Sequence, residues 1–138
     1  MDDTVTDLHK YFDDFIEAYG NFSGERVASK FRVPFMAIGE GNVSRIFATH
    51  KDLAQYFQAF LDDYKSKGCV TCSYSNLQVI QLGAESAMAS VSWHLCDGNE
   101  NELLGWRESY LMCVGGSKPL AYATIDHVQK LSNSKAYI

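Results

Sequence analysis

A chain of 138 residues that is 46% apolar and 21% charged has material for one hydrophobic core, and so for one domain spanning 1–138, and is too apolar for a disordered majority. Its formal charge of −5 comes with no basic run, which argues against nucleic acid and anionic membrane surfaces as partners. No apolar run reaches the roughly 18 residues of a membrane-spanning helix, and Met1 is followed by Asp2 and Asp3 instead of a basic leader, so the expected location is cytoplasmic.

Residues 5–19 place Leu8, Tyr11, Phe12, Phe15, Ile16 and Tyr19 at helical spacing with acids opposite, and Gly20 ends that helix. A short helix follows, capped by Ser23 and closed before Pro34. Two extended pieces flank the turn "GEGN". Next comes the clearest helix, with Thr49 and Asp52 as its capping pair, Leu53, Tyr56, Phe57, Phe60 and Leu61 as its apolar stripe, and Gly68 as its end. From residue 70 the period changes to two, giving strands near 71–82, 86–96, 103–114 and 120–128, joined by the turn compositions "GAE", "DGNENE" and "GGSKP". Short links make these four an antiparallel meander, and helices followed by such a meander specify an α+β fold with the helices on one sheet face.

The pairing arithmetic picks out a candidate site. If "DGNENE" closes its hairpin symmetrically, Trp93 faces Trp106, Val91 faces Glu108, Ala89 faces Tyr110 and Ala87 faces Met112, and opposed residues share a face. That face holds two tryptophans, a tyrosine, small alanines and one acid, which is how a small-molecule pocket is lined. Across "GGSKP", a symmetric turn sets Glu108 opposite Asp126, whereas a one-residue bulge sets it opposite His127. Either neighbour supports acid/base chemistry, since two carboxylates in an apolar pocket do not both ionise cheaply. The competing expectation is a structural ion pair between Glu108 and one of Arg26, Arg32, Arg45 or Arg107.

The "CVTC" piece has no second partner motif, so Cys69, Cys72, Cys96 and Cys113 are expected as small buried residues and not as a metal site. "GEGN" lacks the lysine and helix of a phosphate cradle, and no nucleophile-elbow, zinc-protease or dinucleotide motif occurs.

The segments "RVPFMAI" and "FATHKDLAQYFQAFL", followed by "WRESYLMCV", a hairpin and "ATIDHV", resemble the nuclear transport factor 2-like superfamily, which includes SnoaL-like polyketide cyclases and ketosteroid isomerases. Where similar proteins carry a tryptophan in the last strand, this chain has Ala121 and Tyr122. The resemblance implies a cone-shaped fold, three N-terminal helices packed on a strongly curved antiparallel sheet, with a conical pocket for a small-molecule ligand. It implies proton abstraction next to a carbonyl without metal or organic cofactor, with Glu108, Asp126 or His127 moving the proton and Tyr110 stabilising the oxyanion. Trp93, Trp106, Tyr19, Phe35 and Tyr56 are then the expected ligand-binding residues. The alternative within the same fold is a non-catalytic binding or dimerisation module, as in the association domain of calmodulin-dependent kinases. The outer sheet face, with Met88, Leu111, Cys113 and rows of serine, suits a homodimer interface.

Overall fold

The computed structural model describes residues 2–116 and 118–128. Helix α1 spans Asp2–Gly20, α2 Gly24–Ala28 and α3 His50–Ser66. The strands are β1 Phe31–Ile38, β2 Ser44–Phe47, β3 Thr71–Leu82, β4 Ser86–Cys96, β5 Glu102–Cys113 and β6 Leu120–Asp126. They form one curved, open sheet in the order β2-β1-β6-β5-β4-β3. No helix among the described residues is long and apolar enough to cross a membrane.

Each boundary has a local cause. Ser23 accepts a hydrogen bond from the Arg26 N–H at the start of α2, and Thr49 accepts one from Asp52 N–H at the start of α3. Gly68, at φ +94, turns the chain out of α3 in the left-handed region that other residues avoid. Between β1 and β2, "EGN" folds as a single 3-10 turn with Gly41 at φ +74.

Strand β4 shows the alternation in full: Ala87, Ala89, Val91, Trp93 and Leu95 are buried while the residues between them are only partly so. Helix α1 lays Leu8, Tyr11, Phe12, Phe15 and Ala18 on that inner face, with Phe12 and Phe15 touching both Trp93 and Tyr110. Helix α3 covers the other half of the sheet through Phe57 against Phe31 and Tyr56 against Phe47. Helix α2 fits against α3 at Gly24, where any side chain would run into the Ala54 carbonyl oxygen, and Gly24 N–H donates to Gln58.

One connection adds to the meander. Strand β1 joins the sheet parallel to β6, so among the described strands this pairing is parallel and the others are antiparallel. It brings the early β1-β2 hairpin beside the last described strand, and a cavity remains between this side of the sheet and α3.

Candidate functional site

The cavity has a volume of about 680 Å³ and opens between β1, β2, β5, β6 and α3. Its wall is mostly aromatic, with Phe15, Tyr19, Phe31, Phe35, Tyr56, Phe57, Phe60, Tyr64, Trp106 and Tyr110, and its polar groups are few: Glu108, Asp126, Thr124, Arg45, Glu40 and the rim residue His127. A largely apolar chamber with a small set of convergent polar groups is the usual form of a small-molecule site.

Glu108 reaches this wall because the β4-β5 register puts it opposite Val91 on the inner face. Its Oε1 accepts hydrogen bonds from Trp106 Nε1 at 2.9 Å and from the Tyr110 hydroxyl at 3.1 Å. Tyr110 in turn accepts from Trp93 Nε1 at 2.9 Å. The chain Trp93, Tyr110, Glu108 thus aims successive donors at one oxygen, and the Glu108 carboxyl also hydrogen-bonds Thr124 and Asp126. Among the described residues no arginine holds the carboxyl. Arg26 pairs with Glu17, Arg32 donates to Cys113, Arg107 is taken up by Asn76, Gln78 and Ser92, and Arg45 lies over the Tyr56 ring.

Asp126 is the residue opposite Glu108 on β6. Between the turn and this pair the register shifts by one residue at Tyr122, and the shift restores the symmetric pairing instead of bringing His127 round. His127 sits on the other face, its Nε2 2.7 Å from the Ser109 hydroxyl, which is 2.6 Å from that of Ser90. The two carboxyls titrate as a unit. Burial, and then the charge of Asp126, push Glu108 up to about 7, against the pull of its hydrogen-bond donors. Asp126 is raised too, chiefly by desolvation, with Glu108 and His127 pulling it back. The pair therefore shares a proton up to about neutrality, with Glu108 the more strongly raised of the two.

This arrangement has a stability signature. The folded chain binds the Glu108 proton more tightly than the unfolded chain does, whose glutamate titrates near 4.5. Stability is therefore undiminished below about pH 4.5, falls as pH rises toward 7, and stays lower above it, by up to about 3 kcal/mol. Glu108→Gln is expected to flatten that slope and to be more stable than the wild type at about pH 8, read by urea denaturation across pH. A wild type that instead gains stability between these pH values would refute the assignment.

Of the residues expected from sequence, Glu108, Asp126, Tyr110, Trp106, Tyr19, Phe35 and Tyr56 all line the cavity. Trp93 does not: fully buried behind Tyr110 and beneath α1, it acts on the site through its Nε1–H donor. His127 reaches only the rim, its ring turned to Ser109. The sequence reading missed Tyr64 and Arg45 as wall residues. Tyr64 continues the stripe of Tyr56 and Phe60 at intervals of four, a signal that was present; its phenol is raised by burial and by Glu108. Thr124 was legible as the residue opposite Tyr110 across "GGSKP", whereas Arg45 gave no local signal, because it enters the wall only through the β1-β6 pairing.

Comparison with known proteins agrees with this architecture. No protein of curated function matches. Aln2 from a Streptomyces species superposes with a TM-score of 0.75 at 7% identity, covering 95% of this chain and 94% of that chain. A domain of unknown function with a cystatin-like fold from Nostoc punctiforme gives 0.70 at 15% identity over 91% of this chain and 78% of that one. A protein from Catenulispora acidiphila, solved in complex with S-DNPA, gives 0.70 at 9% identity over 91% and 95%. At such identities the likeness is one of fold. The family model described as NTF2-like protein (DUF6841) matches residues 2–115, most of the chain, ending before β6 and Asp126. With helices first, an open curved sheet behind them and that match over most of its length, the chain belongs to the NTF2-like family DUF6841.

Proposed function

We propose that this protein is a cofactor-independent enzyme that moves a proton next to the carbonyl of a small, largely apolar ligand, as in isomerisation, cyclisation or dehydration. The observation that carries the reading is the company Glu108 keeps: two aromatic donors and a second carboxyl, with no arginine among the described residues. A purely structural acid would be neutralised by a cation, and a pair sharing one proton supplies an acid and a base side by side.

The roles follow from where the proton rests. Asp126, ionised, takes the α-proton; the C–H pair becomes the new C=C bond, and the carbonyl π pair moves onto oxygen. Protonated Glu108 delivers its proton to that oxygen, leaving an enol, neutral Asp126 and ionised Glu108. Tyr110 and Trp106 donate to Oε1 throughout and stabilise the charge that forms there. Reprotonation at a second carbon restores the pair. The S-DNPA complex of a fold neighbour supports occupancy of this fold by a small molecule. The test is uptake of deuterium from D₂O into aryl methyl ketones, followed by NMR, in the wild type and the two carboxyl variants. Exchange no faster than buffer with the wild type would rule the reading out.

We also propose that the chain works as a homodimer through the outer sheet face. Cross-strand neighbours Ile80, Met88, Leu111, Ala123, Met36 and Ile46 form one apolar row over all six strands, with Ile80 60% and Ile46 71% exposed. An apolar stripe of this extent supports association between copies. Sedimentation is expected to give twice the 15.5 kDa chain mass for the wild type, and the chain mass itself for Leu111→Lys. A wild type that stays monomeric at tens of micromolar counts against it.

A further inference from the structure

The register places Arg45 on the same inner-face row as the reacting end of the cavity. Arg45 pairs with Ala37, Ala37 with Thr124, and Thr124 with Tyr110. Arg45 and Tyr110 are thus three strand spacings apart, about 14 Å along the sheet, and the two residues between them are small. Ala37 and Thr124 leave a low floor, while the aromatic rings of α3 form the roof. Glu108 stands at one end of this slot and a guanidinium at the other, with Asp126 on the strand between, its carboxyl beside Gly39, and Glu40 also on the wall.

Arg45 makes no salt bridge among the described residues. Arg45 is exposed, and its guanidinium carbon stands 6.0 Å from the centre of the Tyr56 ring at the cavity wall. The charge pattern also sets direction. The carboxyl pair repels an acidic group on a ligand, so such a group goes to Arg45 and the carbonyl goes to the pair. A single planar guanidinium matches the bidentate demand of a carboxylate.

Building on the proposed proton-transfer site, we infer that Arg45 makes the cavity selective for keto acids: ligands with a carboxylate at one end, an aromatic or polycyclic body, and an enolisable carbonyl at the other. Arg45 is a specificity-determining residue, and the slot between it and Tyr110 measures the body of the ligand.

The test uses matched pairs, an acetylnaphthoic acid and its methyl ester, and the longer acetylbiphenylcarboxylic acid and its methyl ester, titrated calorimetrically against the full chain near neutral pH. For at least one pair the acid is expected to bind about tenfold or more tighter than the ester, and Arg45→Gln to bring the acid down to the level of the ester. Raising salt gives an independent reading, since it weakens the acid and leaves the ester unchanged. Equal binding of acid and ester by the wild type overturns the inference while leaving the proton-transfer site standing. A preference for the acid that survives in Arg45→Gln also overturns it, because another cation then holds the carboxylate. Binding of neither compound in either pair overturns the inference together with the ligand-pocket reading on which it rests.

Discussion

Asp126→Asn is expected to slow ketone deuterium exchange by about 10²–10⁴-fold, the usual range for loss of a general base, with little change in melting temperature because Asp126 lies at the open end of β6. Glu108→Gln is expected to lose less, about 10²-fold, because its amide still offers a hydrogen bond where the acid offered a proton. The two variants also separate by pH. In the wild type the rate falls above about pH 7 as Glu108 loses its proton and falls at low pH as Asp126 gains one, giving a bell. Glu108→Gln removes the alkaline limb and Asp126→Asn the acid limb. Equal exchange in the wild type and both variants would place the chemistry elsewhere.

Trp93→Ala is expected to destabilise the chain by about 3–5 kcal/mol, out of the roughly 5–15 kcal/mol that holds a typical domain together. Trp93 is fully buried and touches Phe12 and Phe15 of α1, Tyr74 of β3, and Trp106 and Tyr110 of β5. Alanine would leave a hole walled by rings whose backbones are fixed by strand pairing and by helix α1 and cannot close in. Trp93→Phe retains most of that volume and gives up the donor to Tyr110, and is expected to cost only about 1–2 kcal/mol. Urea midpoints of the three proteins decide this, and an alanine variant as stable as the wild type would mean the tryptophan is not the keystone of the core.

What could be read from residue order alone was what short turns control. The β4-β5 ladder is offset by one residue next to "DGNENE" but symmetric from Leu95 and Leu104 onward, so the opposition of Val91 and Glu108 follows from counting; Glu108 meets Asp126, as a symmetric "GGSKP" predicts, because the one-residue shift at Tyr122 offsets the asymmetry of that turn. Periodicity likewise located α1 and α3, because a stripe of large apolar residues has a single face to bury. Depth was not legible. Trp93 and Trp106 are cross-strand partners on one face, yet α1 covers the first and leaves the second to the cavity, and no local pattern says how far along a sheet a helix will lie. The parallel contact of β1 with β6 was equally silent, since neither strand carries a mark of its partner, and with it went Arg45.

That parallel contact also dictates the order in which the chain can be assembled. Phe31 and Ala121 are partners separated by roughly 90 residues, so closing that loop carries a large entropy cost that β3, β4 and β5, zipped by short turns, do not bear. During synthesis the β1-β2 hairpin emerges early and must wait for β6, almost the last described segment, before it can dock. The meander and its tryptophan core can form first, whereas the guanidinium end of the slot meets the carboxyl end only at the final step. A nascent or truncated chain lacking β6 would thus have the hydrophobic centre of this protein without its binding chamber.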